Sequence, residues 1–184
     1  MRRAPLLIFP VLLAGCFSSP TRTTIPESVP IGDYKRIAVM PFQSQNNGGP
    51  AMADAFATGF MSSGFMVVER GLLEGILKTQ KIDFNTDALK PEDLQLLGQS
   101  AKVDAVIFGT INSVLGSESG EIHSVSLRMV DVKTGDLVMS STYRNSAYLE
   151  PPEIPEQMMK HIRKKYRRAI KVLKKKAKKK NRRR

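Results

Sequence analysis

The chain has 184 residues, enough for one domain of ordinary size, and its single cysteine excludes a disulfide within the chain. The formal net charge of +12 is concentrated at one end, because residues 160–184 contain 16 lysines and arginines and no acidic residue. The remaining 13 basic residues are outnumbered by 17 acidic ones, so the rest of the protein is slightly acidic.

The N-terminal residues have the layout of a secretory signal. Arg2 and Arg3 precede an apolar run from 5 to 14 that only Pro10 interrupts. This run is too short for a transmembrane helix, which needs about 20 apolar residues. We therefore predict that residues 1–15 form a lipoprotein signal peptide.

The signal ends in Leu13-Ala14-Gly15-Cys16, which resembles a bacterial lipobox. This motif predicts a covalent lipid on Cys16, and we expect no other cofactor. Several acyl chains at one terminus give stable membrane anchoring. The alternatives are an ordinary signal peptide beside an incidental cysteine, or a buried core cysteine. Phe17 follows where an aspartate would indicate retention in the inner membrane, so we predict an outer-membrane anchor facing the periplasm.

A segment rich in serine, threonine and proline follows the cysteine. It contains Pro20, Pro26 and Pro30 and has no periodic apolar pattern, which predicts a flexible tether over residues 16–34. The folded domain is predicted over residues 35–150.

Apolar strands and amphipathic helices then alternate along the chain. The predicted strands cover 35–42, 65–68, 103–111, 124–132 and 137–146, the last two joined by a turn at 133–136. The predicted helices cover 51–63, 70–79 and a segment that begins at Pro91. This order predicts a single α/β domain with a mixed sheet and helices packed on it.

The sequence of the C-terminal region, residues 151–184, predicts an amphipathic basic helix that starts near Ile154. A cationic tail is predicted from Lys174 onward. Six apolar residues at helical spacing form the predicted inner face of the helix: Met158, Met159, Ile162, Tyr166, Ile170 and Leu173. The tail is either a solvated solubility feature or a contact with an anionic lipid or wall polymer. The tail residues in question are Lys174, Lys175, Lys176, Lys178, Lys179, Lys180, Arg182, Arg183 and Arg184. Export makes nucleic acid an improbable partner, so none is predicted.

No catalytic or metal-binding constellation emerges, and we predict that the protein is not an enzyme. His123 and His161 are the only histidines, and neither has a partner pattern. The adjacent Glu69 and Arg70 indicate a strand-end ion pair or a helix-start contact and not a catalytic pair. The Gly48-Gly49-Pro50 sequence lacks the lysine and hydroxyl residue of a phosphate-binding loop and is predicted to be a turn.

Several segments together resemble the CsgG-like family of bacterial lipoproteins. They are RIAVMPF (36–42), FMVVER (65–70), Leu97-Gly98 with AKVDAVIFGTI (101–111), and VSLRMVDVKTG (125–135). The resemblance implies an outer-membrane lipoprotein with a periplasmic α/β domain. The chain departs from the channel-forming member of that family, because the segment 112–124 is short and polar and 148–155 contains three prolines. Neither offers membrane-crossing strands of about 9–11 residues.

These observations lead to three hypotheses. The first is a non-catalytic interaction or assembly factor in a cell-envelope complex, serving secretion or wall synthesis and binding another envelope protein. The second is a structural ring subunit of a secretion channel such as that of curli export, which would make the chain a homo-oligomer. The third is a domain that clamps the membrane with its lipid and its basic tail.

Overall fold

Seven strands and four helices make up the described part of the chain. The computed structural model describes residues 20–45, 47–82, 90–113, 122–144 and 153–182. The strands are β1 (Thr21–Thr24), β2 (Arg36–Val39), β3 (Gln43–Ser44), β4 (Met66–Val67), β5 (Ala105–Ser113), β6 (Ile122–Asp131) and β7 (Leu137–Arg144). The helices are α1 (Gly49–Met61), α2 (Arg70–Gln80), α3 (Pro91–Ala101) and α4 (Glu153–Asn181).

The strands form one mixed sheet in the order β1-β7-β6-β5-β2-β4, and β3 pairs with β5. β2 is parallel to both β4 and β5, whereas β5, β6, β7 and β1 pair antiparallel in turn. The predicted hairpin between β6 and β7 is present. The prediction of a single α/β domain, with a mixed sheet and helices packed on it, is confirmed at this level.

Two helices pack on each face of the sheet. α1 and α4 pack on one face, where Phe56, Phe60 and Met158 are buried together with Tyr143 of β7. α2 and α3 pack on the opposite face, where Leu73 joins the side chains of β2 and β5 in a second cluster. We call these the α1/α4 face and the α2/α3 face. Buried and accessible residues alternate from Ser124 to Val130 in β6 and from Met139 to Arg144 in β7, which assigns these positions to one face or the other.

The prediction of a flexible tether up to residue 34 is wrong for the described part of that segment. Residues Thr21–Thr24 form an edge strand paired with β7, and the Thr23 and Ser141 hydroxyls lie 2.8 Å apart in a buried hydrogen bond. Ile31 is fully buried on the α1/α4 face. Threonine suits strands although it gives no apolar pattern, which is why composition indicated a linker. The folded domain therefore begins before residue 35, whereas Cys16 lies outside the described residues.

The α1/α4 face depends on a glycine in β5. The buried Phe42 ring stacks on Phe56, with ring centroids 5.2 Å apart and planes inclined by 14°. A Cβ atom on Gly109 would overlap the Phe42 ring. Glycine at this position thus allows the aromatic pair to lie directly against the sheet.

The C-terminal helix is longer than predicted. α4 continues to Asn181, through residues that the sequence analysis assigned to a cationic tail from Lys174. All six residues of its predicted inner face are buried or partly buried against the α1/α4 face, so the predicted amphipathic helix is confirmed. Its 29 residues correspond to a length of about 44 Å.

A group of hydrogen bonds to Asp131 joins the segment before β2 to the β6–β7 turn. The Tyr34 hydroxyl donates to Asp131 Oδ2 over 2.8 Å, and the backbone N–H groups of Lys133 and Thr134 donate to Asp131 Oδ1 over 2.7 and 2.9 Å. Burial by itself raises the pKa of Asp131, but these hydrogen bonds together outweigh burial and lower it. Burial and the hydrogen bond to Asp131 raise the pKa of Tyr34.

Because the folded-state pKa of Asp131 is depressed, its contribution to stability is present above the unfolded value of about 3.9 and is lost as pH falls through the folded value. We expect Asp131→Asn to lower the urea midpoint at neutral pH and to flatten the loss of stability below about pH 4. Asp136→Asn, in the same turn, is the control for the loss of one carboxylate there. Urea unfolding across a pH series measures both, and parallel profiles for the Asp131→Asn variant and wild type would contradict the assignment.

Candidate functional site

The most strongly charged surface of the described chain is the outer side of α4. Lys160, Lys164, Lys171, Lys175 and Lys178 follow one another at steps of four, seven, four and three residues opposite the apolar side of the helix, and all are exposed. No acidic residue occurs in α4 after Glu156. Beyond Lys160, which follows Glu156 by one turn, the row has no carboxylate nearby within its own helix.

The packing of α4 against α1 fixes the orientation of this row. The Arg163 guanidinium donates to Ser63 Oγ over 3.0 Å and to the Gly59 carbonyl oxygen over 3.4 Å. A Cβ atom on Gly59 would lie 2.6 Å from Met159, so the glycine permits the close approach of the two helices. These contacts turn the apolar side of α4 inward and leave its lysines in solvent.

The N-terminal strand lies beside the second half of α4. An apolar groove of about 250 Å³ separates them, lined by Ile25 and Val29 on one side and by Ala169 and Leu173 on the other. The Lys176 ammonium lies 3.1 Å from Glu27 Oε2, an exposed pair that contributes little stability. β1 and the cationic helix are thus neighbours in space.

This proximity limits the position of the predicted anchor. Cys16 precedes Thr21 by five residues, which span at most about 17 Å when extended. A lipid on Cys16 is therefore confined to within that distance of the start of β1, whatever path the chain takes.

The structure places part of the predicted tail site on one helix. Lys174, Lys175, Lys176, Lys178 and Lys179 are exposed on α4, and Arg182 is exposed just after it. The Lys180 side chain, Arg183 and Arg184 lie outside the described residues. The tail prediction missed the earlier members of the row, Lys160, Lys164 and Lys171, although their helical spacing was visible in the sequence.

A second polar surface lies on the uncovered part of the α2/α3 face. Arg22 of β1, Arg128 of β6 and Arg144 of β7 are exposed there. Accessible or partly accessible hydroxyl residues surround them on the same face: Thr24, Thr110, Ser124, Ser126, Ser140 and Thr142. We call the three arginines and these hydroxyl residues the arginine face. The sequence places Ser126 and Arg128 at alternate positions of the predicted strand 124–132, but nothing in the sequence joined Arg22 to them.

The other residues singled out in the sequence have structural positions. Glu69 caps α2 by accepting a hydrogen bond from Leu72 N–H over 2.8 Å. Hydrogen bonds from the backbone of Gly71 and of Leu72 lower the pKa of Glu69. Arg70 pairs with Asp54 at 3.3 Å, so the helix-start interpretation holds and no Glu69–Arg70 ion pair forms. Burial, followed by the nearby lysines of α4, lowers the pKa of His161. His123 is exposed on β6.

The Gly48-Gly49-Pro50 turn starts α1, with Pro50 in its first turn. A Cβ atom on Gly49 would collide with the Phe42 backbone, which explains the glycine without a ligand. Across the described ranges, no helix is both long and apolar enough to cross a membrane.

Comparison with known proteins shows a fold but no family. No protein-family model matches the sequence, and no curated protein matches it. The structure of lipoprotein GNA1162 from Neisseria meningitidis is similar, with a TM-score of 0.51 and 22% identity over 69% of this chain and 92% of that chain. At this identity the likeness shows a shared fold alone.

Two other structures have lower scores. The C-terminal domain of LpoB from Escherichia coli has a TM-score of 0.47 and 10% identity, over 61% of this chain and 83% of its own. A DUF4136 family protein from Bacteroides thetaiotaomicron has a TM-score of 0.47 and 9% identity, over 79% of this chain and 95% of its own.

The predicted resemblance to the CsgG-like family is wrong. The similar structures are lipoprotein GNA1162, LpoB and a DUF4136 family protein, and nothing in these comparisons points to a CsgG-like protein. The segments that carried the resemblance are apolar strands followed by turns or helix starts, as in β2, β5 and the β6–β7 hairpin, and such features are common to many mixed sheets. The hypothesis of a ring subunit in a secretion channel loses its basis with this correction.

Proposed function

We propose that this protein is a non-catalytic, lipid-anchored factor of the bacterial cell envelope that binds another envelope protein. Cys16 carries the lipid, and α4 rests with its cationic side against an anionic membrane surface. Phe17 after the lipidated cysteine favours the outer membrane, with the domain facing the periplasm.

One observation carries the proposal: β1, which continues from the anchor, lies beside α4. Because the lipid is held within about 17 Å of β1, the bilayer that receives it is also within reach of the α4 lysines. Each lysine near an anionic surface contributes about 1 kcal/mol. The lipid and the helix therefore contact the same membrane, and the shared fold with lipoprotein GNA1162 is consistent with such a location.

The test measures binding of the Cys16→Ser protein, which lacks the lipid, to vesicles. One variant replaces five α4 lysines by glutamine: Lys160, Lys164, Lys171, Lys175 and Lys178. The matched control replaces five exposed lysines elsewhere in the domain: Lys78, Lys81, Lys90, Lys102 and Lys133.

We expect the α4 variant to bind phosphatidylglycerol-containing vesicles at least about tenfold more weakly than the parent, because five attractive charges are lost. The control should stay within about twofold, and none of the three proteins should bind pure phosphatidylcholine. Equal loss of binding in both variants would show a net-charge effect without a membrane-facing helix, and unchanged binding in both would remove α4 from the proposal.

A further inference from the structure

The arginine face brings together three residues that are distant in the sequence. Arg22 lies opposite Thr142, Arg144 lies opposite Ser124, and Arg128 lies opposite Ser140. In this register Arg22 and Arg144 are diagonal neighbours, which places their Cα atoms about 7–8 Å apart. Arg128 lies on β6 opposite Ser140, four residues along β7 from Arg144, so the three arginines span about 14 Å of the same side of the sheet.

Among the residues that the structure describes, no acidic side chain pairs with this group. No ion pair among the described residues uses any of the three arginines, and the neighbouring strand positions of the arginine face carry hydroxyl groups. A guanidinium matches a carboxylate with two parallel hydrogen bonds. Hydroxyls such as those of Ser126 and Thr142 both donate and accept, so they can pair with peptide groups as well as with carboxylates.

The position of the arginine face excludes the membrane as its ligand. α4 packs on the α1/α4 face, where it contacts β1 and β7. The side chains of Arg22 on β1 and Arg144 on β7 lie on the opposite side of the sheet. When α4 rests on a bilayer, the arginine face points away from that bilayer. In the orientation proposed above, a ligand of this face comes from the periplasmic side.

We propose that the arginine face is the docking surface for an acidic segment of the partner protein. This inference rests on the proposed function, because it names the surface and the chemical class of the envelope protein that the domain binds. Carboxylates of the segment pair with Arg22, Arg128 and Arg144, and the surrounding hydroxyls bind its side chains and backbone.

Site-specific photocrosslinking of the full-length, lipidated protein in cells tests the surface. A photoreactive phenylalanine derivative replaces Thr24, Ser126 or Thr142 on the arginine face, and Thr79 or Gln80 on α2 as exposed controls. We expect crosslinks from the three face positions to an envelope protein. Mass spectrometry should locate them in a peptide rich in aspartate and glutamate.

A charge reversal tests the role of the arginines. We expect the Arg22→Glu, Arg128→Glu, Arg144→Glu triple variant to lose about tenfold or more of the crosslink yield at equal abundance, since each reversal replaces a charge-assisted pair by repulsion. The matched control is Lys78→Glu, Lys102→Glu, Lys133→Glu, which should keep the yield. If the triple variant shows a lower urea midpoint, the corresponding Arg→Gln triple variant replaces it and should still lose most of the yield.

The outcomes separate the two proposals. Crosslinks to an envelope protein from Thr79 or Gln80 alone would overturn the arginine face and leave the proposed function standing. Crosslinks from the face to a second copy of this chain, or to lipid or glycan only, would overturn the acidic protein segment. A complete absence of protein crosslinks at every position would contradict partner binding itself.

Discussion

Gly109→Ala is expected to unfold at a clearly lower urea concentration than the wild type. The new methyl group overlaps the Phe42 ring, and Phe42 cannot retreat because it is buried and stacked on Phe56. Overpacking of a filled core costs about 1–3 kcal/mol, and we expect the upper end here because backbone and aromatic ring meet directly. The corresponding loss in Tm is roughly 6–12 °C for a chain of this size.

Gly75→Ala is the matched control, because a Cβ atom at that position in α2 meets no atom within 4 Å. Alanine favours helix over glycine by up to about 1 kcal/mol, so this variant should be slightly more stable than the wild type. Phe42→Leu should restore part of the stability lost in Gly109→Ala, and the double-mutant cycle measures that coupling. A Gly109→Ala protein with the wild-type midpoint would mean that Phe42 is not held against β5.

Cys16→Ser is expected to release the protein from the membrane. Without the thiol no lipid can be attached, and the acyl chains that give stable anchoring are absent. The residual attraction of α4 is electrostatic, and a wash at about 1 M salt reduces the screening length to about 3 Å. After such a wash the variant should be almost entirely in the soluble periplasmic fraction, whereas the wild type should remain in the membrane pellet.

Ser19→Ala is the control for Cys16→Ser, because it changes a neighbouring small residue and keeps the thiol. Its N-terminal peptide should carry the mass of the lipid, as in the wild type. A Cys16→Ser protein that stays in the pellet after the salt wash would show that anchoring does not depend on this cysteine.

The regular elements could be predicted from the sequence because each buries a periodic apolar pattern. The continuous apolar run of β5 and the alternation of β6 are visible residue by residue, and so is the inner side of α4. The start of α2 was also predictable, since Glu69 stands where a capping residue is expected.

The features that sequence reasoning missed depend on which segments are neighbours in the sheet. β1 contributes Thr21 and Thr23 to a buried face, but it becomes a strand only because β7 provides its partner. Arg22, Arg128 and Arg144 form one surface through the register of three strands, and no local pattern encodes that register. The family resemblance failed for a related reason, since similar strand sequences serve many mixed sheets.

The pairing of β1 with β7 also determines how the domain responds to mechanical load. With a lipid on Cys16, any force that pulls the domain away from the bilayer enters the fold through the edge strand Thr21–Thr24. The β1–β7 hydrogen bonds and the Thr23–Ser141 contact carry this tension before α1, α2 or α3 does. Detachment of β1 would lengthen the segment between Cys16 and the folded domain by about 14 Å and would expose β7 as a new sheet edge. β1 is therefore the first element expected to detach under such a force.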